Sequence, residues 1–172
     1  MNNLILIGMM GCGKTTVGRL LADKLGRELV DTDALIEARE GRRVAEIFAR
    51  RGEAGFRALE LAACRELGRR QDLVISCGGG LPLQPGCMAA LKENGAVFWL
   101  NRDPGETYDG LDVSGRPLAQ QGREAFLERY AQRAPVYRGH ADYVITGVKT
   151  PAQAASAIAA IAENLEREET TT

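Results

Sequence analysis

Leu4-Ile5-Leu6-Ile7-Gly8-Met9-Met10-Gly11-Cys12-Gly13-Lys14-Thr15-Thr16 decides the fold. Four apolar residues run into a segment, Gly8 to Thr15, that satisfies G-x-x-x-x-G-K-[ST] at every fixed position. Small residues let the backbone curl until successive N–H groups converge on one anion. The helix that follows aims its free amides and positive dipole end at the same point. Gly11, Cys12, Gly13, Lys14, Thr15 and Thr16 are therefore the candidate nucleotide-binding residues. Lys14 brings a mobile charge for the outer phosphates, and the Thr15 hydroxyl is placed to ligate Mg²⁺. Val17, Leu20, Leu21 and Leu25 follow at helical spacing, so the strand–loop–helix context that gives the motif its meaning is present.

Composition narrows the class. A chain of 172 residues suits one domain with a real core. Its net charge of -1, from 22 basic and 23 acidic residues, gives no reason to expect a nucleic-acid or membrane partner. No apolar run is long enough to span a bilayer, and Leu4–Ile7 lacks the basic flank and length of a signal peptide. Cys12, Cys64, Cys77 and Cys87 show neither C-x-x-C pairing nor zinc spacing, so they read as free thiols in a reducing cytoplasm.

Further strands are expected at 27–30, 73–75, 96–100 and 142–146, which with 4–7 makes five. Helical stretches lie between them. One covers 34–40, N-capped by Asp33 and stopped by Gly41. Val44, Ile47 and Phe48 mark a second, ending near Gly52, and Phe56, Leu59 and Ala63 a third, broken by Gly68. Others span 85–93, run from Ala125 to Ala134-Pro135, and carry Ile158, Ile161 and Leu165. Residues 101–122, rich in Gly, Pro and polar side chains, read as a mobile loop, and 169–172 as a frayed tail. The alternation argues for an α/β fold, a parallel five-stranded sheet covered by helices on both faces. Ligands bind such sheets beyond the C-terminal strand ends, so Gly8–Thr15, Asp31/Asp33 and Gly78–Gly80 should share one rim.

Asp31 and Asp33 stand two apart, so in an extended segment they point the same way. One could hold Mg²⁺ through water while the other takes a proton from an acceptor hydroxyl; the alternative is that both cap a helix. Arg57 and Glu60, three apart on one helical face, are either a surface pair or a guanidinium oriented by a carboxylate, with donors left for an acidic substrate. Gly78-Gly79-Gly80 forfeits backbone entropy, which makes sense where the backbone approaches a ligand closely. Arg116, followed by Pro117-Leu118, could swing over a transferring phosphoryl group, and Arg133 could add a second cation for the acceptor. His140 receives no role.

In order along the chain, GMMGCGKTTVGR (8–19), DTD (31–33), GEAGFRALE (52–60), CGGG (77–80), GRPL (115–118) and RAPVY (133–137) resemble shikimate kinases. The resemblance covers nearly the whole chain. It implies a nucleoside-monophosphate-kinase-like P-loop domain over 1–168, with a substrate-binding helical region near 33–61 and a lid near 102–122. The implied reaction moves the γ-phosphate of ATP to the 3-hydroxyl of shikimate in aromatic amino acid biosynthesis. Lys14, Asp33 and Arg116 would be catalytic, with Asp33 orienting or deprotonating the nucleophile. Arg57 and Arg133 would clamp the acceptor's carboxylate, and Gly78, Gly79 and Gly80 would form the floor beneath it. Thr15, with Asp31 through water, would serve one Mg²⁺, and Arg116 would bridge nucleotide and acceptor. A monomer is the simplest expectation.

One departure from the family pattern stands out. Similar kinases carry a further lid arginine near the adenine, whereas this segment reads Glu106-Thr107-Tyr108-Asp109-Gly110-Leu111, and Arg102 is the one basic residue between Leu100 and Arg116. Adenine is therefore expected to be held more weakly or differently, stacked on Tyr108. Two rival readings are a kinase for another small sugar acid, such as gluconate, and a regulatory nucleotide-binding module that has lost catalysis.

Overall fold

Leu4 to Ile7 is apolar on both sides, so it needs cover on both faces, and it forms the middle of the sheet. In the computed structural model, which describes residues 2–111 and 121–170, β1 (Asn3–Ile7) lies between β3 (Leu73–Ser76) and β4 (Gly95–Leu100). β2 (Glu28–Asp31) and β5 (Tyr143–Ile145) flank them, giving the order β2-β3-β1-β4-β5 among the described residues. Every pairing is parallel, with Leu4 opposite Val74 on one side and Ala96 on the other.

Strand residues alternate between two cores. Ile5, Ile7, Ile75, Val97 and Trp99 face α3 (Val44–Leu67), α4 (Cys87–Lys92) and α6 (Arg123–His140). Leu4, Leu6, Val74, Phe98 and Leu100 face α1 (Lys14–Leu25) and α7 (Pro151–Thr170). A smaller cluster, Ile36, Ile47, Phe56 and Ala63, joins α2 (Thr32–Glu40) to α3. Buried Asn3 ties the β1 end of the sheet: its amide donates to Leu67 O and Arg70 O, and its carbonyl accepts from Leu73 N–H. No helix among the described residues is long and apolar enough to cross a membrane.

Several expectations need correction. Asp31, not Asp33, caps α2: its backbone is extended (φ -91, ψ 124) and its carboxylate accepts from Ala34 N–H. Asp33 already belongs to the first helical turn, so the two aspartates are not successive same-side residues of one extended segment. The second and third helices run together as α3 across a break at Gly52, whose φ of 69 and ψ of 179 suit glycine alone. Pro135 does not end its helix; α6 continues to His140, because buried Phe126 and Tyr137 on either side hold it against the sheet. Tertiary packing there outweighs the roughly 3 kcal/mol cost of an interior proline. The stretch read as a loop holds a short helix, α5 (Pro104–Asp109), capped by Asp103. A 3₁₀ turn (Leu81–Leu83) precedes α4, and α7 runs to Thr170, with the last two residues of the expected tail outside the described ones.

Candidate active site

At the C-terminal end of β1 the chain turns through Gly8–Gly13 into α1. A Cβ on Gly8 would fall 2.9 Å from both Leu100 O and Cys12 Sγ, so the loop can pass this close to β4 only as glycine. Gly13 caps α1 in the left-handed region at φ 95. Lys14 is buried, and its Nζ donates to Gly8 O (2.7 Å) and Met9 O (2.9 Å), which holds the ammonium inside the loop's concavity.

The next two strands end beside α1. Thr15 Oγ1 donates to Asp31 Oδ2 at 2.9 Å and stands 3.4 Å from Ser76 Oγ. Asp31 Oδ1 takes the Ala34 N–H, so one carboxylate both caps α2 and fixes the Thr15 rotamer. These are hard oxygen donors, suited to an ion that keeps most of its own waters. Among the described residues, no group of three His, Cys, Asp or Glu side chains competes as an all-protein cage.

Beyond β3, each of the three glycines faces a different charged group. A Cβ on Gly78 would meet Asp33 Oδ1 at 2.8 Å, one on Gly79 would lie 3.4 Å from Arg133 Nη1, and one on Gly80 would lie 3.1 Å from Arg57 Nη2. The triplet is thus a bare floor on which a carboxylate and two guanidinium groups rest. Arg57 comes from α3, where Nη1 donates to buried Glu60 at 2.6 Å and Phe48 and Phe56 flank the guanidinium at 5.8 and 5.5 Å. Its Nε pairs with the Glu53 carboxylate at 3.6 Å, too far for a hydrogen bond, and is buried without a hydrogen-bond partner. Arg133 comes from α6, one turn before Tyr137, whose hydroxyl donates to Gly79 O at 2.7 Å.

Burial is the largest influence on Asp33 and holds its pKa above the ordinary 3.8. The Asp31 charge adds to this, while Lys14 and Arg57 pull the other way. Asp33 is therefore electrostatically coupled to both the phosphate loop and the arginine clamp. Burial likewise raises Glu60, opposed by its hydrogen bond and charge pairing with Arg57.

The family model for shikimate kinase matches residues 10–164. The chain belongs to the shikimate kinase family. A shikimate kinase of Sulfurihydrogenibium sp. (strain YO3AOP1) is 39% identical over 154 residues, covering 89% of this chain and 93% of that protein. The solved structure of shikimate kinase from Acinetobacter baumannii in complex with shikimate is 36% identical, with a TM-score of 0.86, over 95% of this chain and 94% of the other. A gluconokinase from Sinorhizobium meliloti 1021 shares the fold alone: TM-score 0.60 at 17% identity, over 97% of each chain. As a shikimate kinase family member the chain is an ATP-dependent phosphotransferase acting on an alcohol group.

Within this shikimate kinase fold, Gly11, Cys12, Gly13, Lys14 and Thr15 share the rim with Asp31, Asp33, Arg57, Gly78, Gly79, Gly80 and Arg133. Thr16, on the first turn of α1, is exposed. Arg116 lies outside the described residues. Tyr108 packs on Phe126, its ring centroid 5.5 Å away, because α5 folds it inward onto α6. The cleft beside Cys12 is lined instead by Leu100, Arg102, Val148, Lys149 and Pro151.

Sequence reasoning missed three contributors. Ser76 is a polar residue ending an otherwise apolar strand, which was an available signal. Thr32 is fully buried between two aspartates, and its Oγ1 accepts from Gly78 N–H at 3.0 Å. Lys149 follows the last strand on the same rim and carried no local signature.

Proposed function

We propose that this chain transfers the γ-phosphoryl group of ATP to the 3-hydroxyl of shikimate, giving 3-phosphoshikimate and ADP. The observation that carries the reading is the convergence of Asp33, Arg133 and Arg57 on successive glycines of Gly78–Gly80, beside the Lys14 loop. A carboxylate-bearing polyol laid on that floor has its acid against two guanidinium forks and a hydroxyl against Asp33. Glu60 takes one Arg57 donor and sets the guanidinium's plane, leaving other donors for the acid. Asp33 orients the hydroxyl and accepts its proton as the oxygen attacks the γ-phosphorus and the bond to the β,γ-bridging oxygen breaks.

Gly11, Cys12, Gly13, Thr15 and Thr16 receive the phosphates, with Lys14 moving from the loop carbonyls to the β- and γ-oxygens. Thr15, with Asp31 through water, would hold Mg²⁺, which supplies charge neutralisation on those oxygens when bound. The residues beside the phosphate loop, Cys12, Arg102, Lys149 and Pro151, would border the base, so a cation from another segment takes the place of the lid arginine the family pattern leads one to expect. Arg116 bridges donor and acceptor from a lid near 102–122, and 33–61 forms the acceptor-binding region. The enzyme works as a cytoplasmic monomer in this reading; the four free, buried thiols fit a reducing compartment.

The test is ADP release with Mg²⁺-ATP and either shikimate or gluconate, with Lys14→Ala as control. Turnover with shikimate, none with gluconate, and loss of activity in Lys14→Ala are expected. Preference for gluconate, or no turnover with either acid, overturns the reading.

A further inference from the structure

The glycine floor has no side chains of its own to anchor it, yet three charged groups lie so close to it that a Cβ at each glycine would stand only 2.8 to 3.4 Å from one of them. Backbone bonds secure its ends: Cys77 N–H donates to Leu6 O at 3.0 Å, and Leu81 N–H to Gly78 O at 3.1 Å. Two fully buried hydroxyls grip the stretch between. Thr32 Oγ1 accepts from Gly78 N–H at 3.0 Å, and Tyr137 OH donates to Gly79 O at 2.7 Å. Each grip comes from an element that also carries a proposed substrate residue, and it lands on the glycine facing that residue. Thr32 precedes Asp33 on α2 and holds Gly78, which faces Asp33; Tyr137 lies one turn after Arg133 on α6 and holds Gly79, which faces Arg133.

We infer that Thr32 and Tyr137 are positioning residues, a two-point clamp that sets the spacing between the Asp33 carboxylate and the Arg133 guanidinium through the floor. This rests on the substrate roles proposed above for Asp33 and Arg133. The two grips serve different ends of the acceptor, so their loss has different kinetic signatures. Tyr137 sets the carboxylate end, which matters for ground-state binding. Thr32 sets the proton-accepting end, where misplacement is felt in the chemical step. Burial raises the Tyr137 hydroxyl pKa to about 12 against the opposing charge and hydrogen bond of Arg133, so the hydroxyl stays protonated throughout the working pH range and touches the guanidinium directly as well as the floor.

Tyr137→Phe, Thr32→Val and Thr32→Ser test this, with Tyr130→Phe as reference. Tyr130 is on the same helix and loses a similar bond, to Asn101 Oδ1 at 2.8 Å, that does not touch the floor. For Tyr137→Phe the shikimate KM should rise about tenfold, with ATP KM and kcat within about threefold, in line with one lost hydrogen bond. Thr32→Val should lower kcat about tenfold, and Thr32→Ser should recover it, since serine restores the acceptor. Tyr130→Phe should leave the shikimate KM within about twofold. Thermal melts run alongside separate these effects from lost stability, which would lower the active fraction without moving KM. Unchanged shikimate KM in Tyr137→Phe, or failure of serine to rescue Thr32→Val in a folded protein, overturns the clamp while leaving the proposed reaction intact. A wild-type enzyme inactive on shikimate overturns the reaction and the clamp with it.

Discussion

Asp33 is placed where its chemistry and the fold's stability disagree. Burial beside Asp31 raises its pKa, so between 3.8 and that higher value the folded protein holds a proton that the unfolded chain has released. Stability from this group therefore falls as pH rises through that window and stays at the lower level above it. Asp33→Asn should consequently raise Tm at pH 7 while lowering kcat by about 10²–10⁴-fold, the usual range for a lost general base. If Asp33 accepts the proton as proposed, the acid limb of kcat/KM in the wild type should sit above pH 3.8. Melting curves and a pH–rate series check both; an Asn variant that is less stable at pH 7 and equally active contradicts the assignment. At this scale the sequence was informative where a local motif dictates chemistry, as at Lys14 and Thr15. It was silent for Thr32, whose partner Gly78 lies 46 residues away, and the polar end of β3 flagged Ser76 without revealing its partner Thr15, 61 residues away.

The elements explain why three consecutive glycines follow β3. Gly78 and Gly80 do not adopt positive φ, so an alanine there is limited by space rather than by backbone strain. The two spaces differ in kind. An alanine methyl at Gly78 meets Asp33 Oδ1 at 2.8 Å, on a short side chain seated in the first turn of α2. At Gly80 it meets Arg57 Nη2 at 3.1 Å, the far end of a long side chain that can give way. Gly78→Ala should therefore lower kcat about 10²-fold, the order expected when a reacting group is misplaced. Gly80→Ala should act mainly on the shikimate KM, by less than about tenfold. Steady-state kinetics on both variants decide this, and the opposite ranking contradicts the geometry. That the triplet allows close approach was legible; which charged side chain each glycine faces was not, since that depends on how α2, α3 and α6 converge. Elements with strong periodicity were read correctly, whereas α6 past Pro135 and α5 within the presumed loop depend on packing that no local propensity encodes.

At the scale of the molecule, a parallel sheet in the order β2-β3-β1-β4-β5 places the ends of β1, β2 and β3 side by side. That turns residues from distant stretches into one rim, with the Lys14 loop and the proposed arginine clamp sharing a wall. Fold class and the shared rim were readable because apolar runs alternate with helical periods. Strand order was not, because it is set by crossover packing rather than by any single segment. In the proposed function Arg57 holds the acceptor's carboxylate on the glycine floor while the Lys14 loop holds ATP independently. The most direct test is the pair of KM values for Arg57→Ala. Loss of charge-assisted bonds facing only the acceptor predicts a shikimate KM raised about 10–150-fold, with the ATP KM within about twofold. Equal shifts in both, or no shift in either, would contradict the account.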